Sequence, residues 1–197
     1  LEMIHNSEFI ETNMLWSLYK AVKYMNEDFI ISYSDILVNI KLVEKLKTFN
    51  KGIGLIIDKD WLNYWSIRFK DPLDDAESLK VSNDGNIINI GQKAKNVHEI
   101  QGQYIGFLKV AGEDRLLFKK YLIDFCENHN TKSIAKKAYL TDFLQYLINK
   151  GIQIKEIPVN GGWIEIDNPS DVDAAKKSGR LSVIDNDIRK IIKKNNL

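Results

Sequence analysis

Two hydrophobic periods alternate along this chain, and the places where one gives way to the other mark its elements. Over residues 13–25 the apolar positions fall at Leu15, Leu18, Tyr19, Val22 and Met25, the spacing of one helical face. Residues 29–34 (FIISYS) form a short, mostly apolar run that ends in Asp35. A helix over 40–49 follows, then a second apolar strand over 53–57 ending in Asp58. Strand, helix, strand predicts a parallel pair joined by a crossover. The middle of the chain changes character: 64–70, 79–81, 87–90 and 104–110 read as strands, with Asn83-Asp84-Gly85-Asn86 as a hairpin turn. Helical spacing returns at Leu116, Leu117, Phe118, Tyr121, Leu122 and Phe125, and again at Leu140, Phe143, Leu144, Leu147 and Ile148. Gly151 stands where a helix C-cap belongs. Runs at 152–159 and 163–167 close the sheet, and the charged tail from Leu181 is expected to end as a helix. The pattern predicts a mixed α/β domain over 1–180, with a mostly parallel sheet flanked by helices, an antiparallel insertion and a helical tail over 181–197.

The stretch WIEIDNPSDVDAA, residues 163–175, concentrates the candidate chemistry. On a strand, Trp163, Glu165 and Asp167 share one face while Ile164 and Ile166 share the other. The isoleucines are expected in the core, which leaves an aromatic and two acids on the open face. Asn168 reads as an N-cap, Pro169 as the first helical residue and Asp171 as the acid of a capping box. A strand that ends in an acid before a turn into a helix suits the carboxyl edge where open α/β sheets bind ligands. Asp35 ends another apolar strand. With both strands in one sheet, the two carboxylates would meet at that edge. Such hard donors suit Mg²⁺, which takes one or two carboxylates and completes its octahedron with water and phosphate. The competing reading of each aspartate is a turn or helix cap.

Composition narrows the field. At 197 residues and 44% hydrophobic the chain can bury a sizeable core as one domain. Lys+Arg 28 against Asp+Glu 27 leaves a net charge of +1, which offers no broad basic surface for nucleic acid. The single cysteine, Cys126, precludes an internal disulfide framework and fits a reducing cytoplasm. No apolar run approaches a membrane span, no signal peptide is visible, and three scattered histidines give zinc little to bind. The chain begins Leu-Glu-Met, and it reads as a piece of a longer protein.

Trp61, Tyr64, Trp65 and Arg68 cluster in DWLNYWSIRF. These aromatics could box an ammonium group by cation–π attraction, with Arg68 on a phosphate, or they could simply pack the insertion against the sheet.

ETNMLWSL, ISYSDI, EIQGQYIGF, YLTDFLQYLINKG and GGWIEIDNPSDV occur in an order that resembles the nucleotidyltransferases of the GT-A-like, Rossmann-type fold. The likeness runs from Phe9 to about Lys177 and is greatest to the cytidylyltransferases that activate small phospho-compounds such as phosphocholine and aminoethylphosphonate. The resemblance implies a catalytic Mg²⁺ held by Asp35 and Asp167. It also implies nucleotide contacts from Asn13, Ser17 and Ser34, and a catalytic, phosphate-reaching Lys80. For the acceptor it implies Gln101 and Gly106, to which the residues themselves add the cluster Trp61, Tyr64 and Arg68 and, on the strand face of Asp167, Glu165. Its partners would be a nucleoside triphosphate, CTP by preference, and a small phosphate or phosphonate, in making cell-surface polysaccharide or phospholipid precursors. No nucleic acid or membrane partner is implied, and a homo-oligomer is left open. Members of the family open with a strand, a G-x-G-x-R loop and a P-K pair, none of which occurs in these residues. The chain therefore reads as the later two-thirds of the fold. A sugar-1-phosphate nucleotidyltransferase using UTP, dTTP or GTP, and a non-catalytic binding domain of the same fold, stand as alternatives.

Overall fold

The structure, a computed structural model, describes residues 2–194. Its main sheet has four strands: β1 (Phe29–Ser32), β3 (Gly52–Asp58), β6 (Gln103–Ala111) and β7 (Ile154–Val159), in the order β1-β6-β3-β7. β6 runs antiparallel to both β1 and β3, whereas β3 and β7 are parallel. The first and second predicted strands therefore run the same way without touching, because β6 lies between them. Strand period alone cannot show such an interposed partner.

β3 explains why this sheet is central. Ile53, Leu55 and Ile57 enter one hydrophobic cluster while Ile56 enters the other, and all four are fully buried. A strand covered on both faces reads as a continuous apolar run rather than an alternation. On the first face lie α1 (Met14–Lys20), α4 (Asp114–Glu127), α5 (Lys132–Lys137) and α6 (Leu140–Asn149), with Phe118, Leu122, Phe143 and Leu147 against the sheet. Cys126 is buried there, and that burial pushes its thiol up to about 12. The second face holds α2 (Ile40–Thr48), α3 (Trp61–Arg68), α7 (Pro169–Lys177) and the start of α8 (Arg180–Lys194).

Two small sheets complete the fold. β4 (Glu77–Val81) and β5 (Ile87–Lys93) form the expected hairpin, turning at Gly85 with φ +78°. β2 (Ile36–Val38) pairs antiparallel with β8 (Trp163–Glu165), so the WIE run leaves the main sheet instead of closing it.

Other expectations change as well. The predicted helix over 13–25 ends at Lys20 and is followed by a 3₁₀ turn, Val22–Tyr24. The predicted strand over 64–70 is instead the end of α3: Trp61, Tyr64, Trp65 and Arg68 stand at positions i, i+3, i+4 and i+7, one helical face. Trp163 is buried under that face, with its ring 5.7 Å from Tyr64 and 5.9 Å from Trp65; it lines the same cavity as Glu165 and Asp167, as the alternation expects, but is not open to solvent. The tail is helical as expected, but its start is built into the domain. Ile184 belongs to the second core cluster and Arg180 bonds Asp58. Residues 195–197 of the predicted tail lie outside the described residues. Among the described residues no helix is long and apolar enough to cross a membrane.

Candidate active site

The β2–β8 ladder pairs Ile36 with Glu165, Leu37 with Ile164 and Val38 with Trp163. It extends one step further, where the Ile166 N–H donates to the Asp35 carbonyl at 3.0 Å. Asp35 thus lies directly across from Ile166, whose chain neighbours are Glu165 and Asp167. The two aspartates, far apart in sequence, stand at the same end, or rim, of this ladder, although not in the predicted way, and line two different cavities, Asp35 one and Asp167 the other. Asp35 precedes β2 rather than ending β1, and Asp167 lies two residues beyond β8.

Two cavities adjoin this rim and share Met14 and Tyr33 in their walls. One, of about 350 Å³, is lined by Ser17, Ser34 and Asp35. The other, of about 180 Å³, is lined by Glu165 and Asp167 together with Asp75, Glu77, Tyr104 and Trp65. Tyr33 can stand between them because Gly106 has no side chain. A Cβ at Gly106, whose φ is +75°, would fall 2.3 Å from the Tyr33 ring. Burial raises the Tyr33 pKa, and the negative charges of Glu77, Glu165 and Asp35 raise it further.

The acids are braced. Arg68, with a side chain only 1% exposed, donates through Nη1 to Glu165 at 2.5 Å, through Nη2 to Asp167 at 2.9 Å and through Nε to Asp171 at 3.1 Å. Asp171 in turn accepts the backbone N–H groups of Asp167 at 3.0 Å and Asn168 at 3.1 Å. This is the capping box expected from NPSD, set at the start of α7. Burial raises the Asp171 pKa, but the bond from Arg68 and the two N–H groups outweigh it and hold the carboxyl below its usual range. Glu165 goes the other way. Burial lifts its pKa, Arg68 opposes the rise, and Asp167 and Asp35 add like charge.

Among the described residues Glu77 takes no bond from an arginine or lysine. Burial, reinforced by the charge of Asp142, pushes its carboxyl up to about 7, while the Thr141 hydroxyl opposes the rise. Its neighbour in the cavity, Asp75, accepts from Trp65 Nε1 at 2.9 Å. The Tyr104 hydroxyl is shut from solvent and has no partner among the described residues.

The sequence-predicted residues divide. Ser17, Ser34, Asp35, Glu165 and Asp167 gather around the paired cavities, and Asn13 sits beside them as the cap of α1, accepting from the Met14 N–H at 2.8 Å. Lys80 is exposed on β4 and makes no ion pair among the described residues. The Gln101 side chain is occupied by the Val81 N–H at 2.6 Å, and Gly106 serves Tyr33. Trp61 and Tyr64 are core residues at 4% and 1% exposure, so they form no open box, and Arg68 is held by carboxylates instead of reaching into solvent. The packing alternative for the aromatics describes this arrangement. Glu77, Tyr33, Tyr104 and Asp75 were not singled out. Only Glu77 left a trace, an acid at the head of β4 followed by the buried Ser78 and Leu79.

The donors facing the rim are carboxylate oxygens, and among the described residues no group of three or more His, Cys, Asp or Glu is arranged to hold a metal. Two aspartates on facing strand ends fit Mg²⁺, which needs only one or two carboxylates when phosphates supply the rest. They do not fit zinc.

No family model matches the chain. Over 180 residues it is 37% identical to the CTP:phosphoglutamine cytidylyltransferase of Campylobacter jejuni, a match covering 85% of this chain and 69% of that protein. Its fold is similar to the inositol-1-phosphate CTP transferase of T. maritima, with a TM-score of 0.65 and 19% identity over 91% of this chain and 64% of that one. It is also similar to the CTP:phosphocholine cytidylyltransferase of Streptococcus pneumoniae, with a TM-score of 0.58 and 13% identity over 87% and 66%. The chain thus spans just under two thirds of these solved structures.

Proposed function

The chain belongs to the nucleotidyltransferases, among their cytidylyltransferases, and from that premise we propose that its parent protein transfers a cytidylyl group from CTP to a small phosphorylated acceptor. An acceptor phosphate oxygen attacks the α-phosphorus in line. The new O–P bond forms as the bond to the β-phosphate bridging oxygen breaks, and pyrophosphate leaves. The acceptor phosphate is already ionised near neutrality, so little proton transfer is needed, and catalysis rests on positioning and charge neutralisation. The observation that carries this reading is the juxtaposition of Asp35 and Asp167 across the β2–β8 ladder, beside two adjoining cavities.

Asp35 and Asp167 are the residues that would hold Mg²⁺. When bound, the ion supplies positive charge to the phosphoryl oxygens. Glu165 orients groups at the same rim. The larger cavity, with Ser17 and Ser34, suits the nucleotide, and the smaller one suits the acceptor.

That smaller cavity combines carboxylates with the rings of Tyr33, Tyr104 and Trp65, which favours an acceptor with an ammonium group near its phosphate. The acceptor named for the 37% identical relative, phosphoglutamine, is a small phosphorylated compound of this general kind. The product would be an activated precursor for cell-surface polysaccharide or phospholipid.

The test is pyrophosphate release by the full-length protein, with each nucleoside triphosphate crossed against cationic and neutral phosphates. CTP with a cationic acceptor should turn over fastest. Equal rates with neutral acceptors would overturn the acceptor assignment, and no pyrophosphate from any pair would overturn the activity.

A further inference from the structure

Arg68 does something at this rim that neither the packing nor the proposed chemistry requires. Its guanidinium is buried against Tyr64, Trp65 and Phe69, with ring centroids 5.6, 5.6 and 5.1 Å from its central carbon. A cation kept from water has to be repaid by close carboxylates, and here three are supplied. They are not equivalent. The Asp171 side chain is 5% exposed and the Glu165 side chain 21%, whereas that of Asp167 is 51% exposed and borders the smaller cavity. Arg68 bonds Oδ2 of Asp167 and leaves Oδ1 unengaged by the guanidinium. The Asp167 backbone is fixed separately, through its N–H bond to Asp171, which also accepts from Arg68 Nε. One arginine therefore sets both the side chain and, through Asp171, the main chain of a single half-exposed acid.

We propose that Arg68 is a positioning residue for the divalent-cation site: it holds Asp167 by one oxygen so that the other is presented to the ion. The inference rests on the metal reading above, with Asp167 as a ligand. Groups that bond a metal ligand from behind typically contribute about 10–100-fold in metal affinity. The fork geometry matters, because a lysine ammonium cannot bond three carboxylates in one plane.

The experiment is titration of the full-length protein with Mn²⁺ alone, followed by water-proton relaxation, for the unaltered protein and for Arg68→Lys, Arg68→Met, Asp171→Asn and Asp167→Asn. Arg68→Lys should weaken Mn²⁺ binding about 10–100-fold. Arg68→Met should weaken it at least as much, and Asp171→Asn should weaken it by less. A folded Arg68→Lys protein with reduced Tm but unchanged Mn²⁺ affinity would show a purely structural arginine and overturn the proposal. Tighter Mn²⁺ binding by Arg68→Met would overturn it too, since Arg68 would then be a competing cation. If the Arg68 variants do not fold, unchanged Mn²⁺ affinity in Asp171→Asn overturns it. Mn²⁺ binding undiminished in Asp167→Asn would instead reject the metal reading itself, a result distinct from any failure of Arg68.

Discussion

Tyr64 lies between two buried arginines whose surroundings differ in one respect. On one side Arg180, its guanidinium carbon 4.4 Å from the ring centroid, bonds Asp58 at 2.6 Å and Asp60 at 3.1 Å. Asp58 is fully buried and saturated: it also accepts from Trp163 Nε1 and from the N–H groups of Asp60 and Gly161. On the other side Arg68 faces Glu165, Asp167 and Asp171, with Asp35 across the ladder. The first cluster sets one guanidinium against two carboxylates, Asp58 fully buried and Asp60 40% exposed beside a separate cavity of about 740 Å³. The second holds more carboxylates than one guanidinium can neutralise, and its excess opens onto cavities. A saturated ion pair in a core serves packing and orientation. An unsaturated one leaves negative charge for a cation to complete, and under the proposed function that excess of carboxylates is what marks the second cluster as the site.

The largest effect expected from this contrast is on chemistry. Asp167→Ala or Asp35→Ala in the full-length protein should cut Mg²⁺-dependent pyrophosphate release by roughly a thousand-fold or more, since an ion polarising a phosphoryl oxygen contributes several kcal/mol. Unchanged turnover in either variant would erase the distinction.

Arg180→Met should do the reverse. It should cost about 3–5 kcal/mol of stability in urea unfolding by stranding the buried Asp58, and leave the Mg²⁺ dependence of the remaining activity as it was. A shifted Mg²⁺ dependence would mean that the two clusters are one.

Trp61→Ala should cost a comparable ~3–5 kcal/mol, because the ring is core. It should change KM for acceptor and for CTP by similar factors. A selective rise for a cationic acceptor would restore the open aromatic box.

The smallest expected effect is a pH dependence. With the Glu77 carboxyl at about 7 in the folded protein and near 4.5 when unfolded, the folded state keeps a proton that the unfolded state has lost between those values. Its contribution to stability therefore declines as pH rises through that window. Acceptor binding should follow the opposite course: KM for a cationic acceptor should rise several-fold as pH falls below about 7, because protonation removes the counter-charge. Glu77→Gln should flatten both trends, and a pH profile unaltered by that change would remove Glu77 from the acceptor cavity.

Some of this was legible in the chain and some was not, for reasons that differ by residue. The capping box at Asn168 and Asp171, the hairpin turn at Gly85 and the buried run of β3 are local patterns, and each appears where it was expected. In α3, Tyr64, Ser66 and Arg68 alternate as a strand would, while Trp61, Tyr64, Trp65 and Arg68 repeat as a helix does. Only the core beneath them selects the helix. Trp163 was assigned to an open face because the helix that covers it comes from a distant segment. The β2–β8 register and the reach of Arg68 to three acids are tertiary facts with no local periodicity. Asp35 and Asp167 each follow an apolar run, which a turn or cap would explain as well, and it was the resemblance to the nucleotidyltransferases that paired them. The acceptor cavity could not be read in advance, since Glu77 differs from a surface acid only through its burial.

The most direct test of the central claim is anomalous diffraction from a crystal of the full-length protein soaked with Mn²⁺ and CTP. The account predicts a single strong peak at the rim between the Asp35 and Asp167 carboxylates, within coordination distance of both. A peak coordinated by neither aspartate would contradict it.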